Sequence, residues 1–317
     1  FEAGTIAELA KILSRDDWQE PESAIVPIQP NGSRPPLFCL HAKGGNVLFY
    51  RDLAKHLGED QPFYGIQARR LGGRQVGHAT VEKMAKHYIR EIKSLQPDGP
   101  YFLGGASFGG LAAFEIAQQL HRNGEKVALL ALFDTGTPDY PKLLPSTTAI
   151  RMQVYSLVRR MQLHKETLRE LSNRGRFDYF LDKLAKVIQE YRRKVVNTYK
   201  KAVRNYYLRK KGNGSIPTNY IQLEDQISKA GQKYLPDRFP GKLTLFRASN
   251  QPLGIEPDPT LGWGPFVSGE LEIHEVPGHH GSIIAEPYVK SLAEKLSYCV
   301  EKSIVETGTA PNGHNAF

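Results

Sequence analysis

A serine with a glycine two residues to either side, in Gly105-Ala106-Ser107-Phe108-Gly109, is the strongest chemical signal in the chain. A hydroxyl becomes a useful nucleophile once a neighbouring imidazole takes its proton and a carboxylate orients that imidazole. The setting suits that task. Tyr101 to Leu103 reads as an apolar strand, and Leu111, Phe114, Ile116, Ala117 and Leu120 read as one face of the helix that follows. At such a strand-to-helix turn the serine hydroxyl is pushed clear of the backbone. The glycines are needed there because side chains would strike the adjoining strand and helix.

The partners must come from distant parts of the chain, in the order serine, acid, histidine. His280 lies in Val276-Pro277-Gly278-His279-His280-Gly281, directly after the last predicted strand, where a loop can overhang the serine. His279 competes on position alone. His274 sits inside the strand and reads as structural, and the adjacent histidines lack the further ligands a metal site needs. Three carboxylates qualify as the acid: Asp134, ending the strand after the serine helix, and Glu256 and Asp258, in the loop after Phe246. Any of them can reach the histidine, and spacing leaves the choice open.

Attack on a carbonyl creates an oxyanion that needs backbone N–H donors. The amide of Phe108 is one. A second is expected from the glycine loop His41-Ala42-Lys43-Gly44-Gly45, where small residues let the backbone approach a substrate. That loop has neither P-loop lysine spacing nor G-x-G-x-x-G, so it does not read as a phosphate cradle. His41 reads as a loop-fixing residue and not as a base.

These groups need a sheet to hold them. Short apolar runs at residues 36–40, 63–66, 101–103 and 127–133 alternate with helical patterns at 48–57, 80–95 and 111–120. Such alternation predicts a mostly parallel sheet with right-handed crossovers, covered on both faces. The alternation stops near Pro138 and resumes at residues 242–247 and 271–276, closing with a helix over 287–302. Residues 145–235 between them are helical in pattern, basic and tyrosine-rich. The fold class predicted is therefore α/β, with a helical block inserted into one sheet domain.

Bulk properties narrow the function. At 317 residues and 40% hydrophobic the chain can bury a large core. No window approaches the roughly 18 apolar residues of a membrane span, and no secretory signal opens the chain, which reads as cytoplasmic. The first residue is Phe1, as expected of a segment of a longer polypeptide. Cys39 and Cys299 each lie in an apolar run and read as buried thiols. Asn31-Gly32-Ser33 and Asn213-Gly214-Ser215 match glycosylation sequons but read as plain turns. The net charge of +9 is concentrated between Arg151 and Lys211, with 18 Lys and Arg against 5 Asp and Glu. No nucleic-acid motif accompanies that stripe, so it reads as a solvated helical surface or a docking face for an acidic protein.

Four segments carry a family resemblance: Leu37-Phe38-Cys39-Leu40-His41-Ala42-Lys43-Gly44-Gly45, Gly104 to Gly110 around Ser107, Leu132-Phe133-Asp134-Thr135, and Val276 to His280. Over about residues 35–138 and 240–300 the chain resembles the terminal thioesterase domain of a modular polyketide synthase or nonribosomal peptide synthetase, a branch of the α/β-hydrolase superfamily. The resemblance implies a catalytic triad of Ser107, Asp134 and His280, favouring Asp134 over Glu256 and Asp258, and His280 over His279. It implies oxyanion donors at the Lys43 and Phe108 N–H groups, although family members more often carry Pro and Ala at positions 42 and 43. It further implies no metal and no cofactor of the domain's own. The substrate would arrive on the phosphopantetheine arm of an upstream acyl carrier protein, and release would occur by hydrolysis or macrocyclisation. The implied organisation is a carrier-helix remnant at 1–14, a linker at 15–34, hydrolase core at 35–138 and 239–303, a helical lid at 139–238, and a disordered tail at 304–317. A stand-alone editing thioesterase, a general esterase and a non-catalytic binding module of the same fold are the alternatives. Neither nucleic acid nor membrane is expected as a partner.

Overall fold

The computed structural model of the protein describes residues 23–68, 70–71, 74–75, 80–144 and 221–309. The amphipathic segment 1–14, the basic stretch 151–211 and the tail beyond residue 309 lie outside the described residues.

Seven strands form one sheet: β1 (Ile25–Gln29), β2 (Leu37–Leu40), β3 (Phe63–Ile66), β6 (Tyr101–Ala106), β7 (Val127–Phe133), β8 (Leu243–Ala248) and β9 (Leu271–Val276). A small antiparallel pair, β4 (Arg70–Leu71) and β5 (Arg74–Gln75), stands apart from it. The order across the main sheet is β1-β3-β2-β6-β7-β8-β9, and every pairing except β1 with β3 is parallel. This is the expected mostly parallel α/β-hydrolase sheet.

The continuous apolar character of β2, β6 and β7 follows from burial on both sides. Alternate residues feed separate cores. Phe38, Leu40, Leu130 and Leu132 pack beneath α2 (Val81–Leu95), α3 (Phe108–Arg122) and α4 (Ile221–Lys233). Leu37, Cys39, Ala131 and Phe133 face α1 (Arg51–Leu57) and α5 (Val289–Thr307). Helix α2 shows why its sequence folds so: Thr80 caps its first turn, and Val81, Met84, Ala85, Tyr88, Ile89 and Ile92 recur at helical spacing as its buried face. Both cysteines are buried free thiols, as expected. Among the described residues no helix is long and apolar enough to cross a membrane.

The domain boundaries differ from the sequence reading in three places. Within the expected linker, Ile25–Gln29 is the antiparallel edge strand β1; Pro27 hides it in a Pro-rich stretch, and an edge position tolerates proline. Within the expected lid, Leu223 onward belongs to the sheet unit, where Ile227, Ala230 and Tyr234 are buried in its core, whereas Gln251–Pro257 joins the second unit with Pro141–Gln222. A helical period has no mark for where a helix turns back onto a sheet. The final helix runs on to Thr307 and ends at Gly308 in the left-handed conformation, into the segment expected to be a disordered tail. Within the second unit, the described Lys142, Leu143 and Leu144 bond to Gly254, Ile255 and Glu256.

Candidate active site

The carboxyl ends of parallel strands are where an open α/β sheet presents its ligand sites. Ser107 follows β6, Asp134 follows β7, His280 follows β9 and His41 follows β2. Ser107 adopts φ 54° and ψ −122°, a sharp turn between β6 and α3. Backbone enforces the flanking glycines. A Cβ on Gly105 would lie 2.3 Å from the Gly109 carbonyl group, and one on Gly109 would lie 2.3 Å from the Leu40 oxygen.

Asp134 is also held at positive φ, 45°, which turns its side chain out of line with β7. Its N–H donates to the Phe246 carbonyl at 2.7 Å. One carboxylate oxygen accepts from the Ala248 N–H at 2.8 Å, and the other lies 3.0 Å from His280 Nδ1. The acid is nearly buried and therefore has a fixed aim. The next residue, Thr135, ties this turn to the serine: its hydroxyl donates to the Ser107 carbonyl at 3.2 Å, and its own carbonyl accepts from Trp263 Nε1 at 2.7 Å.

The hydrogen bond that His280 donates to Asp134, reinforced by the carboxylate's charge, raises the pKa of His280 above the ordinary histidine value of 6.5, against a smaller opposing effect of burial. With Nδ1 committed to Asp134, Nε2 is the nitrogen left to take a proton. Ser107 Oγ and His280 are not joined by a hydrogen bond; the closed pair is Asp134–His280.

The remaining predicted residues fall into place. Glu256 lies in the second unit, where its N–H bonds to the Lys142 carbonyl at 2.9 Å. The Asp258 carboxylate accepts from Thr260 N–H, Thr260 hydroxyl and Gly262 N–H at 2.7 to 2.8 Å, stitching its own turn. His279 Nδ1 accepts from the Gly281 N–H at 3.1 Å. His274 lies 2.8 Å from Glu272 and 3.3 Å from Cys299 Sγ, a trio whose ligand atoms are close enough to hold a metal. Lys242 and Lys302 already neutralise Glu272 at 2.6 and 3.1 Å, so that trio is part of an ion-pair network. Phe108 opens α3, so its N–H is one of those a helix cannot satisfy internally. Lys43 is exposed in the tight loop closed by the Gly45 N–H on the Ala42 carbonyl. His41 is fully buried with both ring nitrogens occupied, as a loop-fixing residue would be.

Two tyrosines escaped the sequence reading. Tyr50 donates to the Leu40 carbonyl at 2.8 Å and accepts from the Ala106 N–H at 2.9 Å, joining β2 to β6 where their ladder opens toward the site. Tyr88 meets His41 at 2.8 Å. The available signal was a tyrosine on an apolar helix face, since a buried phenol needs a polar partner.

A family model of the thioesterase domain matches residues 35–298. The chain belongs to that family. It is 31% identical over 284 residues to malpibaldin synthetase of Mortierella alpina, covering 88% of this chain and 4% of that protein. It also resembles a four-domain nonribosomal peptide synthetase solved with AMP and glycine, at TM-score 0.62 and 26% identity, covering 92% of this chain and 21% of that one. The fold likewise matches the NocB thioesterase domain, solved as a covalent complex with a fluorophosphonate nocardicin G analogue. That match has TM-score 0.56 and 20% identity, covering 87% of this chain and 99% of that one. The chain spans between 2% and 12% of the length of the first curated relatives it matches.

Proposed function

We propose that this domain releases an acyl chain from a carrier-protein thioester through an acyl-enzyme on Ser107, with Asp134 and His280 completing a triad. The observation that carries the reading is the Asp134–His280 pair, 3.0 Å apart, in loops that leave the same end of the sheet as the serine turn. Ser107 Oγ attacks the thioester carbonyl and passes its proton to His280 Nε2. The oxyanion takes hydrogen bonds from the Phe108 and Lys43 N–H groups. Collapse breaks the C–S bond, and the departing phosphopantetheine thiolate recovers the proton from His280. Water, or a hydroxyl or amine of the acyl chain, then attacks the Ser107 ester with His280 again as base; the acyl–Oγ bond breaks and His280 returns the proton to Ser107 Oγ. The first outcome gives an acid and the second a ring. Asp134 holds Nδ1–H throughout, which keeps Nε2 in the accepting form. The multidomain character of the relatives supports a carrier protein as partner.

Intact-protein mass spectrometry after mixing the domain with a long-chain acyl-pantetheine thioester tests this. An acyl-sized mass gain mapping to the peptide with Ser107, or free acid and thiol, is the expected result. No adduct and no turnover across several chain lengths would sink the reading.

The His280 shift sets a pH dependence. As base it must be neutral, so kcat/KM should rise with pH through a transition lying above 6.5. Asp134→Asn should return that transition toward 6.5 and lower the rate by roughly 10³- to 10⁴-fold. Stability runs the opposite way. The raised folded value means the pair stabilises the fold fully below pH 6.5, and this fades as pH climbs through the folded value. The His280 side chain is 57% exposed, so solvent screening keeps that contribution small. A pH–rate profile beside a pH series of melting temperatures checks both signs.

A further inference from the structure

We propose that Tyr88 and His41 form a positioning pair that aims the Lys43 N–H at the oxyanion; this rests on the acyl-enzyme reading above and assigns it residues from outside the triad. His41 is fully buried, with Nδ1 2.8 Å from the Ala42 carbonyl oxygen and Nε2 2.8 Å from the Tyr88 hydroxyl. A carbonyl only accepts, so Nδ1 must carry the proton. Nε2 then holds a lone pair and accepts from the Tyr88 O–H. Tyr88 thereby selects the tautomer that can grip Ala42. Burial lowers the pKa of His41 to about 4, against a weaker raising effect from its bond to Ala42, so the ring stays neutral at working pH.

The consequence lies in one peptide plane. The Ala42 carbonyl and the Lys43 N–H belong to the same trans peptide and point in opposite directions. That carbonyl is gripped twice, by His41 Nδ1–H and by the Gly45 N–H at 2.9 Å. Fixing the oxygen fixes the N–H. The His41 main chain is itself anchored by its N–H on the Ile66 carbonyl at 2.9 Å. Its ring also stacks on Phe108, with centroids 5.6 Å apart and planes 22° apart. Phe108 carries the other oxyanion donor, so one buried imidazole touches both donor-bearing elements. Tyr88 comes from α2, whose buried face locks it in place.

Three variants test the pair in steady-state assays on an acyl-pantetheine thioester. Tyr88→Phe keeps the ring and removes only the hydroxyl; kcat should fall roughly 10-fold, with KM unchanged. His41→Asn places an amide N–H near the position of Nδ1 and can still hold Ala42. His41→Gln reaches the position of Nε2 instead. Removing one oxyanion donor typically costs about 10²- to 10³-fold in kcat, so Gln should approach that loss while Asn stays within about 10-fold of wild type. Imidazole ¹⁵N spectra give a readout that mere packing would not move. His41 should be a single Nδ1–H tautomer in the wild type and a mixture in Tyr88→Phe. Equal activity for Asn and Gln, or a Tyr88→Phe protein with unchanged kcat and tautomer, overturns the proposal. Ser107→Ala run alongside separates the two levels. Turnover surviving in that variant defeats the acyl-enzyme reading itself, whereas its loss beside an unaffected Tyr88→Phe defeats only the pair.

Discussion

Ser107→Ala is expected to lower kcat/KM on an acyl thioester by about 10⁴- to 10⁶-fold, the range in which removing a triad nucleophile falls, while the melting temperature stays within a degree or two. The activity loss follows from the lack of a substitute. Burial raises the pKa of both the Cys39 and Cys299 thiols, keeping them protonated and unreactive, and neither lies at the serine turn. The unchanged stability follows from the contacts. Ser107 is held through its main chain, by its N–H on Phe133 and its carbonyl with Thr135 and Gly110. Alanine keeps all of these and suffers no more than serine from φ 54°. Steady-state kinetics and thermal melts on the two proteins check both halves. A loss of less than 10-fold would mean that His280 drives water directly onto the thioester and that no ester forms.

The largest structural effect is expected from Gly105→Ala. The added methyl carbon would lie 2.3 Å from the Gly109 carbonyl carbon and oxygen and 2.7 Å from the Gly110 nitrogen. All three are backbone atoms of the first turn of α3, so no rotamer relieves the clash and the helix must shift. Overpacking of this kind costs about 3 kcal/mol, or roughly 6 to 12 °C of melting temperature for a domain of this size. The shift also drags the Phe108 N–H, so activity should fall further than the folded fraction does. Gly124→Ala is the matching control. That glycine has φ +78° but nothing within 4 Å, so only backbone strain of about 1 kcal/mol applies. Equal melting temperatures for the two variants would mean that the turn has slack that the static contacts do not reveal.

Six strands of the main sheet and the serine turn were legible in the sequence because their signals are local. The run Val127 to Phe133 needs only its own composition to read as a strand covered on both faces, and Ser107 announces itself by its immediate neighbours. The pairing of acid with histidine was different. Asp134 and His280 are 146 positions apart, and nothing in their spacing says that Asp134 turns at positive φ to meet both His280 and the end of β8. Asp258 looked equally suitable until its carboxylate proved occupied by Thr260 and Gly262. The Tyr88–His41 contact joins residues 47 positions apart, on a helix and on a loop before it, and periodicity sees Tyr88 only as one more core position. Strand β1 was lost for the opposite reason: its Pro-rich neighbours outweighed a five-residue strand that exists only because β3 is there to receive it.

That strand has a practical consequence. The family match begins at residue 35, after β1 has ended. Yet β1 covers one side of β3, Ala24 just before it is wholly buried, and its leading end is fastened by the Ala24 N–H on Glu91 and the Gln67 N–H on the Ala24 carbonyl. A chain trimmed to the family limits would keep Ser107, Asp134 and His280 and still leave Phe63–Ile66 as a bare row of N–H and C=O groups, a template on which further chains can add. Insolubility of such a fragment would then report a missing border strand and say nothing against the proposed triad.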